Sequence, residues 1–473
     1  MSKLNKIIQR NEQFFYQGQG TILLGEVETD LIHEFLELIP GEQKLGIYTK
    51  QMYTFAHSVQ LLWRQGYKIW TNLKASEAKL DPKTTGLKIP LVVEKEDFFA
   101  LEKGNSLKNK DVYLAYGADP SLAQEHLGEQ YNLAQALTQL PLKVGQSEVD
   151  LSASPLAQVW RLTQATNLVI FWPKSKEEFL TLVQEIQLAL AQLEIDPSQV
   201  QVFYLGTNDS GIKTLASLLD NPVRQLDNVA RSRLFHSQAN LVVSPKLANK
   251  SKHDSFTLAS GIITSLPGVF SSHTLDKGTQ LLLSTYADLS AVHNQHLSKL
   301  FKNYAKEFDV QVTNPNLNFL DYASGAGVIS QYLAHLFAQQ ITNPQVKQNW
   351  DLIEVYAPAL MSSAVNLQAL SQEQISFNLQ AADSLQQALD NGLTPVFYRE
   401  IITNPPFHQG NEVTFRITEN LIAQARQRLH PQGALRLVAN SGLPYLPILT
   451  KYFKVVEVIA QEAGFTVYLA KIS

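Results

Sequence analysis

Asn404-Pro405-Pro406-Phe407 follows the apolar run Val396, Phe397, Ile401 and Ile402, and it gathers three useful groups at one strand end. The amide oxygen of Asn404 and the carbonyl of Pro405 can each accept one N–H of a planar amine. Phe407 offers a ring on which a base can stack. Two consecutive prolines fix φ, bring no N–H to compete for the acceptors and keep the chain out of the helical region up to Phe407. The chemistry that suits this set is the capture of an exocyclic nucleobase amine, although Asn and Pro also make ordinary strand-to-helix turns. His408 adds either a hydrogen-bond donor or a structural contact.

A second set lies upstream. The apolar strand Asn318 to Asp321 runs through Tyr322, Ala323, Ser324, Gly325, Ala326 and Gly327 into the helical pattern Val328, Ile329, Tyr332, Leu333, Leu336, Phe337. Small residues there let a nucleotide-like cofactor approach the backbone and the helix N-terminus. A dinucleotide fold would want a third glycine at Ser330, which counts against NAD. The strand Asp351 to Val355 carries Glu354, placed for both ribose hydroxyls, and the strand Phe377 to Ala381 delivers Asp383, placed for an adenine amine. Singly, each acid also reads as a helix N-terminal charge.

Taken in order, glycine turn, acid, acid and Asn-Pro-Pro-Phe resemble the class I S-adenosylmethionine methyltransferase pattern. Leu266 to Ser271, Asn404 to His408, Val438 to Tyr445, Phe171 to Lys174 and Gly206 to Asn208 narrow it: the chain resembles the ribosomal RNA small subunit methyltransferase C family over most of its length. That resemblance implies methylation of the N2 amine of one 16S rRNA guanine in the small ribosomal subunit, with S-adenosylmethionine as donor. It implies catalytic roles for Asn404, Pro405 and Phe407, cofactor contacts from Asp321, Ser324, Gly325, Gly327, Glu354 and Asp383, and substrate contacts from Pro406, His408 and Phe270. Phe270 reads equally well as a buried anchor. The family usually has glycine and cysteine where this chain has Ala323 and Ser324. An alanine there is expected to need a negative φ, since a Cβ at positive φ is costly.

A 473-residue chain is too long for one core of ordinary size. The polar run Ser244 to Ser255 divides it into 1–250 and 251–473. The second half alternates strands and helices, as in a parallel sheet covered on both faces, and ends in an antiparallel hairpin formed by Phe453 to Ala460 and Phe465 to Lys471. In the first half, Leu168 to Lys174, the helix Lys176 to Leu193 and the strand Val200 to Leu205 repeat that rhythm. Aligning Pro173 with Pro406 puts Phe171 at the place of Asn404 and Lys174 at that of Phe407, removing acceptor and ring together. The expected fold is α/β: two tandem methyltransferase-like (Rossmann-like) domains, the first degenerate. By the family resemblance, that first domain helps to bind RNA.

With 45% hydrophobic and 17% charged residues the composition is that of an ordinary globular protein, and the absence of cysteine excludes disulfides and thiolate zinc sites. The N-terminus lacks a signal-peptide core and no apolar run is long enough to span a bilayer, so a cytoplasmic protein is expected, acting as a monomer. A net charge of −4 counts against a general nucleic-acid binder, leaving local patches around Arg231, Arg233, Lys246, Lys250 and Lys252 and around Arg416, Arg426 and Arg428. His293 and His296 have a spacing that can hold a metal but lack a third ligand, so no metal is expected. Other readings stay open: a 23S rRNA guanine-N2 methyltransferase, a DNA adenine or protein glutamine methyltransferase, and a non-catalytic ribosome assembly factor.

Overall fold

The structure is a computed structural model that describes residues 4–15, 17–41, 43–73, 94–95, 98–101, 110–144, 147–149, 153–173, 175–244, 254–304, 316–341, 343–405 and 412–473. It divides into two compact units: Met1–Gln130 with Ser147–His253 and Tyr356–Pro358, and Tyr131–Gln146 with Asp254–Val355 and Ala359–Ser473. Residues 131–146 join the second unit through the strand Leu142–Val144, which pairs with Ile375–Ala381. That long-range pairing leaves no local signal in the sequence. Most of the polar run 244–255 lies outside the described residues, and its end already forms the strand Asp254–Leu258.

In the second unit the sheet runs Val455–Glu462, Phe465–Lys471, Leu429–Asn440, Tyr398–Thr403, Asn316–Tyr322, Lys347–Glu354, Ile375–Ala381, Leu142–Val144. The strands from Leu429–Asn440 to Leu142–Val144 are parallel, while Phe465–Lys471 is antiparallel to both its neighbours. Both faces are buried, as near-continuous apolar strands require. One face packs Leu320, Tyr322, Leu435 and Leu437 against Leu421, Ile422 and Ala425 of the helix Glu412–Arg428. The other stacks Phe319 on Trp350 at 4.6 Å and sets it tilted against Phe337 of the helix Val328–Ala338 at 5.2 Å. The strand before Asn404 begins at Tyr398, so Val396 and Phe397 fall outside it; Phe397 is exposed.

Among the described residues the first unit's sheet has ten strands and the same order at its heart: Arg224–Val229, Ser232–Gln238, Gln201–Thr207, Asn167–Phe171, Gly20–Leu24, Lys44–Thr49, Asp111–Tyr116. Strand pairing fixes the residue equivalences. Gly25 donates its N–H to Tyr48 O at 3.1 Å just as Ala323 donates to Ile353 O at 2.8 Å, and Gly117 bonds Thr49 O as Ala382 bonds Glu354 O. Leu24 pairs with Ile170 where Tyr322 pairs with Thr403. Thr49 therefore stands where the second unit has Glu354, Ala118 where it has Asp383, and Phe171 where it has Asn404. Phe171 is buried against Phe35, with ring centroids 6.3 Å apart. The degenerate copy keeps the backbone scaffold and has lost both acids and the amide.

Candidate active site

One rung of the sheet organises the site. Tyr322 pairs with Ile353 on one side and with Thr403 on the other, so Ala323, Glu354 and Asn404 leave three adjacent strands at the same level. The two central strands, Asn316–Tyr322 and Tyr398–Thr403, are neighbours at the point where the strand order reverses, which is where open α/β sheets bind ligands. The Thr403 hydroxyl ties the two strand ends together by donating to Tyr322 O at 2.8 Å.

The turn from 323 to 327 is held from beneath. Ala323 has φ +58°, Gly325 +55° and Gly327 +77°. The expectation of a negative φ at Ala323 is therefore wrong. The turn requires the left-handed region there, as its counterpart Gly25 at φ +103° does in the first unit, and the tertiary bonds of Ala323 N to Ile353 O and of Gly325 N to Glu354 Oε2 at 2.9 Å impose it. Ser363 Oγ donates to Gly325 O at 2.8 Å and Asn366 Nδ2 to Ala326 O at 2.8 Å, so the helix Ala357–Gln368 grips the turn's carbonyls.

Asp321 is fully buried, and its Oδ1 has no hydrogen-bond partner among the described residues. Its Oδ2 accepts from Ser330 N at 3.1 Å and Ser330 Oγ at 2.7 Å, capping the helix Val328–Ala338, whose own N-cap Gly327 has no side chain. Burial pushes its carboxyl up to about 7 against the opposing Ser330 bonds, with a smaller upward push from Glu354. Asp321 thus shapes the turn, and Ser330, where a dinucleotide fold would carry glycine, is its partner.

The remaining cofactor candidates face the rung. Glu354 accepts from Gly325 N with Oε2 and from Val355 N with Oε1 at 2.8 Å, which fixes its carboxylate at the turn. Ser324 is buried and its Oγ has no hydrogen-bond partner among the described residues. Among the described residues, a Cβ built on Gly325 meets nothing within 4 Å. Asp383 is anchored by its backbone, its N–H to Gln387 Oε1 at 2.7 Å and its carbonyl to the Tyr322 hydroxyl at 2.8 Å. The Ser324 hydroxyl, unpartnered among the described residues, and the small-residue turn beside it fit a polar nucleoside cofactor.

Asn404 is half-buried and Pro405 buried. Asn404 Nδ2 donates to Asp276 Oδ2 at 3.0 Å and to Thr279 Oγ1 at 2.8 Å. Pro406, Phe407 and His408 lie outside the described residues. Phe270 is 73% exposed, which overturns the buried-anchor reading; Leu266 and Val269, both buried, do the anchoring. Arg233 is engaged by Asn208 and Gln225, Arg231 and Arg426 are exposed, and Lys246, Lys250 and Lys252 lie outside the described residues. His293 bonds Thr285 O at 2.9 Å while His296 faces Glu400 at 3.8 Å, so the two imidazoles serve separate partners. A polar cleft of about 230 Å³ lined by Lys143, Asn318, Asn349, Asp351 and Asn378 opens toward the other ends of the strands, away from Asn404.

Reasoning from sequence missed a buried network beside the site. Arg436, fully buried, donates Nε to Glu400 Oε1 at 2.9 Å, Nη1 to Thr285 Oγ1 at 2.7 Å and Nη2 to Asn294 Oδ1 at 2.8 Å, with its guanidinium 3.8 Å from the Tyr286 ring centroid. Burial pushes Glu400 up, but Arg436, His296 and Tyr286 together outweigh it and hold the carboxyl below its ordinary range. The signal was present: an arginine and a glutamate at inward positions of two apolar strands.

The comparisons with known proteins agree with this geometry. The Methyltransferase small domain model matches residues 260–469, and the Methyltransferase small domain N-terminal model matches 106–252. A protein named Ribosomal RNA small subunit methyltransferase C from Photorhabdus laumondii is 32% identical over 305 residues, 64% of this chain and 75% of that protein. The chain belongs to the ribosomal RNA small subunit methyltransferase C family. A member from Yersinia enterocolitica is 34% identical over 310 residues, 64% of this chain and 74% of its own. A solved structure of a T. thermophilus 16S rRNA N2 methyltransferase in complex with AdoMet and guanosine shares the fold, with a TM-score of 0.55 at 15% identity, covering 99% of this chain and 92% of that one. Tandem methyltransferase-like domains are thus the architecture of this family member.

Proposed function

We propose that this chain transfers the methyl group of S-adenosylmethionine to the N2 amine of a guanine in 16S rRNA. The observation that carries the reading is the tethered amide of Asn404: with Nδ2 spent on Asp276 and Thr279, Oδ1 is the group it can offer a substrate, and it lies beside the small-residue turn. An acceptor at that point selects an N–H donor such as an exocyclic amine.

Glu354 would hold the ribose hydroxyls, Asp383 the adenine amine, and Ser324 with Gly325 the remainder of the cofactor. Bound there, S-adenosylmethionine would supply an electrophilic methyl group from its sulfonium to the N2 lone pair, with a neutral thioether as leaving group and one amine proton passing to water. The chain's own part is orientation and electrostatics. Asn404 Oδ1 and the Pro405 carbonyl each take one N–H of the amine, which aims its lone pair away from both and favours a pyramidal nitrogen. Phe407 would stack on the guanine, which must be unstacked from the RNA to enter.

The finer assignments follow the same reading. The substrate is the small ribosomal subunit, the chain acts as a cytoplasmic monomer, and the first unit, lacking Glu354, Asp383 and Asn404 equivalents, serves RNA contact. The test is to incubate small subunits from a strain lacking this protein with tritiated methyl donor and digest the RNA to nucleosides. N2-methylguanosine from 16S rRNA is expected. Label in large-subunit RNA, DNA or protein, or in another nucleoside, would overturn the proposal. Asn404→Ala should abolish most turnover and leave cofactor binding intact.

A further inference from the structure

The reaction reading assigns a task to Asn404; what sets that residue's orientation is a separate question, and the answer rests on that reading. We infer that Asp276 and Thr279 are positioning residues that fix which face of the Asn404 amide the substrate meets. A side-chain amide is nearly symmetric in shape, so on packing alone Asn404 could present either its oxygen or its NH2. The two faces have opposite chemistry: the oxygen accepts from an amine, whereas the NH2 would repel one. Asp276, as a carboxylate, can only accept, and it lies 3.0 Å from Nδ2. The Thr279 hydroxyl lies 2.8 Å from the same nitrogen. Both N–H bonds of the amide are thereby used, and the flipped state would set the amide oxygen against a carboxylate oxygen.

Three features hold the pair in register. Asp276 is the N-cap of the helix Lys277–Ser284, and the same Oδ2 accepts the Thr279 N–H at 2.9 Å, which fixes the carboxylate's rotamer. Gly278 gives it room: a Cβ there would sit 3.0 Å from Asp276 Oδ2 and 3.0 Å from the Phe465 ring. Immediately beyond the helix, Thr285, Tyr286 and Asn294 are bound by Arg436 and Glu400, and Glu400 lies four residues before Asn404 on its strand. The helix carrying the orienting groups and the strand carrying the oriented one thus share a buried brace.

The carboxylate also has an electronic effect. An N–H donated to a negative oxygen shifts amide electron density toward Oδ1, because hydrogen bonds in series polarise one another. Oδ1 becomes a stronger acceptor for the amine, and the amine's own lone pair is released from the ring. Substrate selection follows: the site favours acceptors with two N–H bonds on one nitrogen over ring nitrogens with none.

The test uses the full chain and small subunits. Asp276→Asn keeps the helix cap, since asparagine caps well, but removes the charge and lets Asn404 adopt either flip. Turnover is expected to fall about 10- to 100-fold, the range for losing a charged hydrogen bond, with S-adenosylmethionine affinity and thermal midpoint unchanged. Thr279→Val should lower turnover less, and Thr279→Ser should restore it. The deciding measurement is the double variant: in an Asn404→Ala background, Asp276→Asn should cost nothing more. Wild-type turnover in Asp276→Asn, or a loss that persists undiminished without Asn404, overturns the inference. Full activity in Asn404→Ala alone overturns the reaction reading instead, so the two failures are distinguishable.

Discussion

Arg436 Nε lies 2.9 Å from Glu400 Oε1, and both side chains are fully buried in adjacent strands of the catalytic sheet. Their charges leave water together, so each depends on the other: removing one partner strands a charge in a medium of low dielectric. Arg436→Met should destabilise the second unit by about 3–5 kcal/mol. Adding Glu400→Gln should recover much of that loss. Denaturant unfolding monitored on the catalytic unit measures both, and a single variant as stable as the parent would show the pair to be dispensable.

Ala323 and Gly25 stand at equivalent turns, but their backbones differ. At φ +58° alanine occupies the left-handed well at a cost of about 1–2 kcal/mol, while glycine would cost roughly 0.5–1 kcal/mol in chain entropy. Ala323→Gly should therefore be neutral or stabilising by up to about 1 kcal/mol, seen as an unchanged or raised thermal midpoint. Gly25, at φ +103° with a Cβ position 3.0 Å from Phe171 O, has no such latitude. Gly25→Ala should lower the midpoint.

Asp321 makes stability fall as pH rises. Its folded carboxyl titrates at about 7 because burial disfavours the charge, above the ordinary 3.8, so the folded state keeps a proton that the unfolded chain has released. Its contribution is complete below about pH 4 and is lost progressively up to about pH 7, by at most about 4 kcal/mol. Asp321→Asn removes this dependence while still accepting from Ser330. Thermal scans of variant and parent between pH 4 and 8 should diverge as pH rises, in the variant's favour; parallel curves would contradict the burial argument.

The first unit should not bind S-adenosylmethionine. Thr49, Ala118 and Phe171 stand where Glu354, Asp383 and Asn404 stand in the second, so the ribose acid, the adenine acid and the amine acceptor are all missing. Calorimetric titration is expected to give one cofactor per chain, and Glu354→Ala should weaken that single event at least tenfold, the effect of about 1.4 kcal/mol. Two equivalents would restore the first unit as a cofactor domain.

Much of this protein was legible in one dimension. Strand and helix periodicities gave the alternation of the second half, the hairpin Val455–Glu462 with Phe465–Lys471, and the helix Lys176–Gln192 to within a residue or two, because each element buries a face that its own sequence marks. The correspondence that makes Phe171 the counterpart of Asn404 was also readable, since a proline after an apolar strand marks the same corner in both halves. Side-chain assignments were harder. Asp321 reads as a ligand contact from an acid before a glycine turn; that its Oδ2 also caps the next helix through Ser330 shows only in the fold. Ala323 was expected at negative φ from its Cβ alone, and the bonds to Ile353 O and Glu354 overruled that preference. Asp276, 128 residues before Asn404, and Arg436, 142 after Asn294, meet their partners through sheet and helix packing. Local chemistry is written in the order of residues, so the sequence determined the elements and the acceptor at their end; which way that acceptor points depends on contacts between distant segments, and those exist only once the chain has folded.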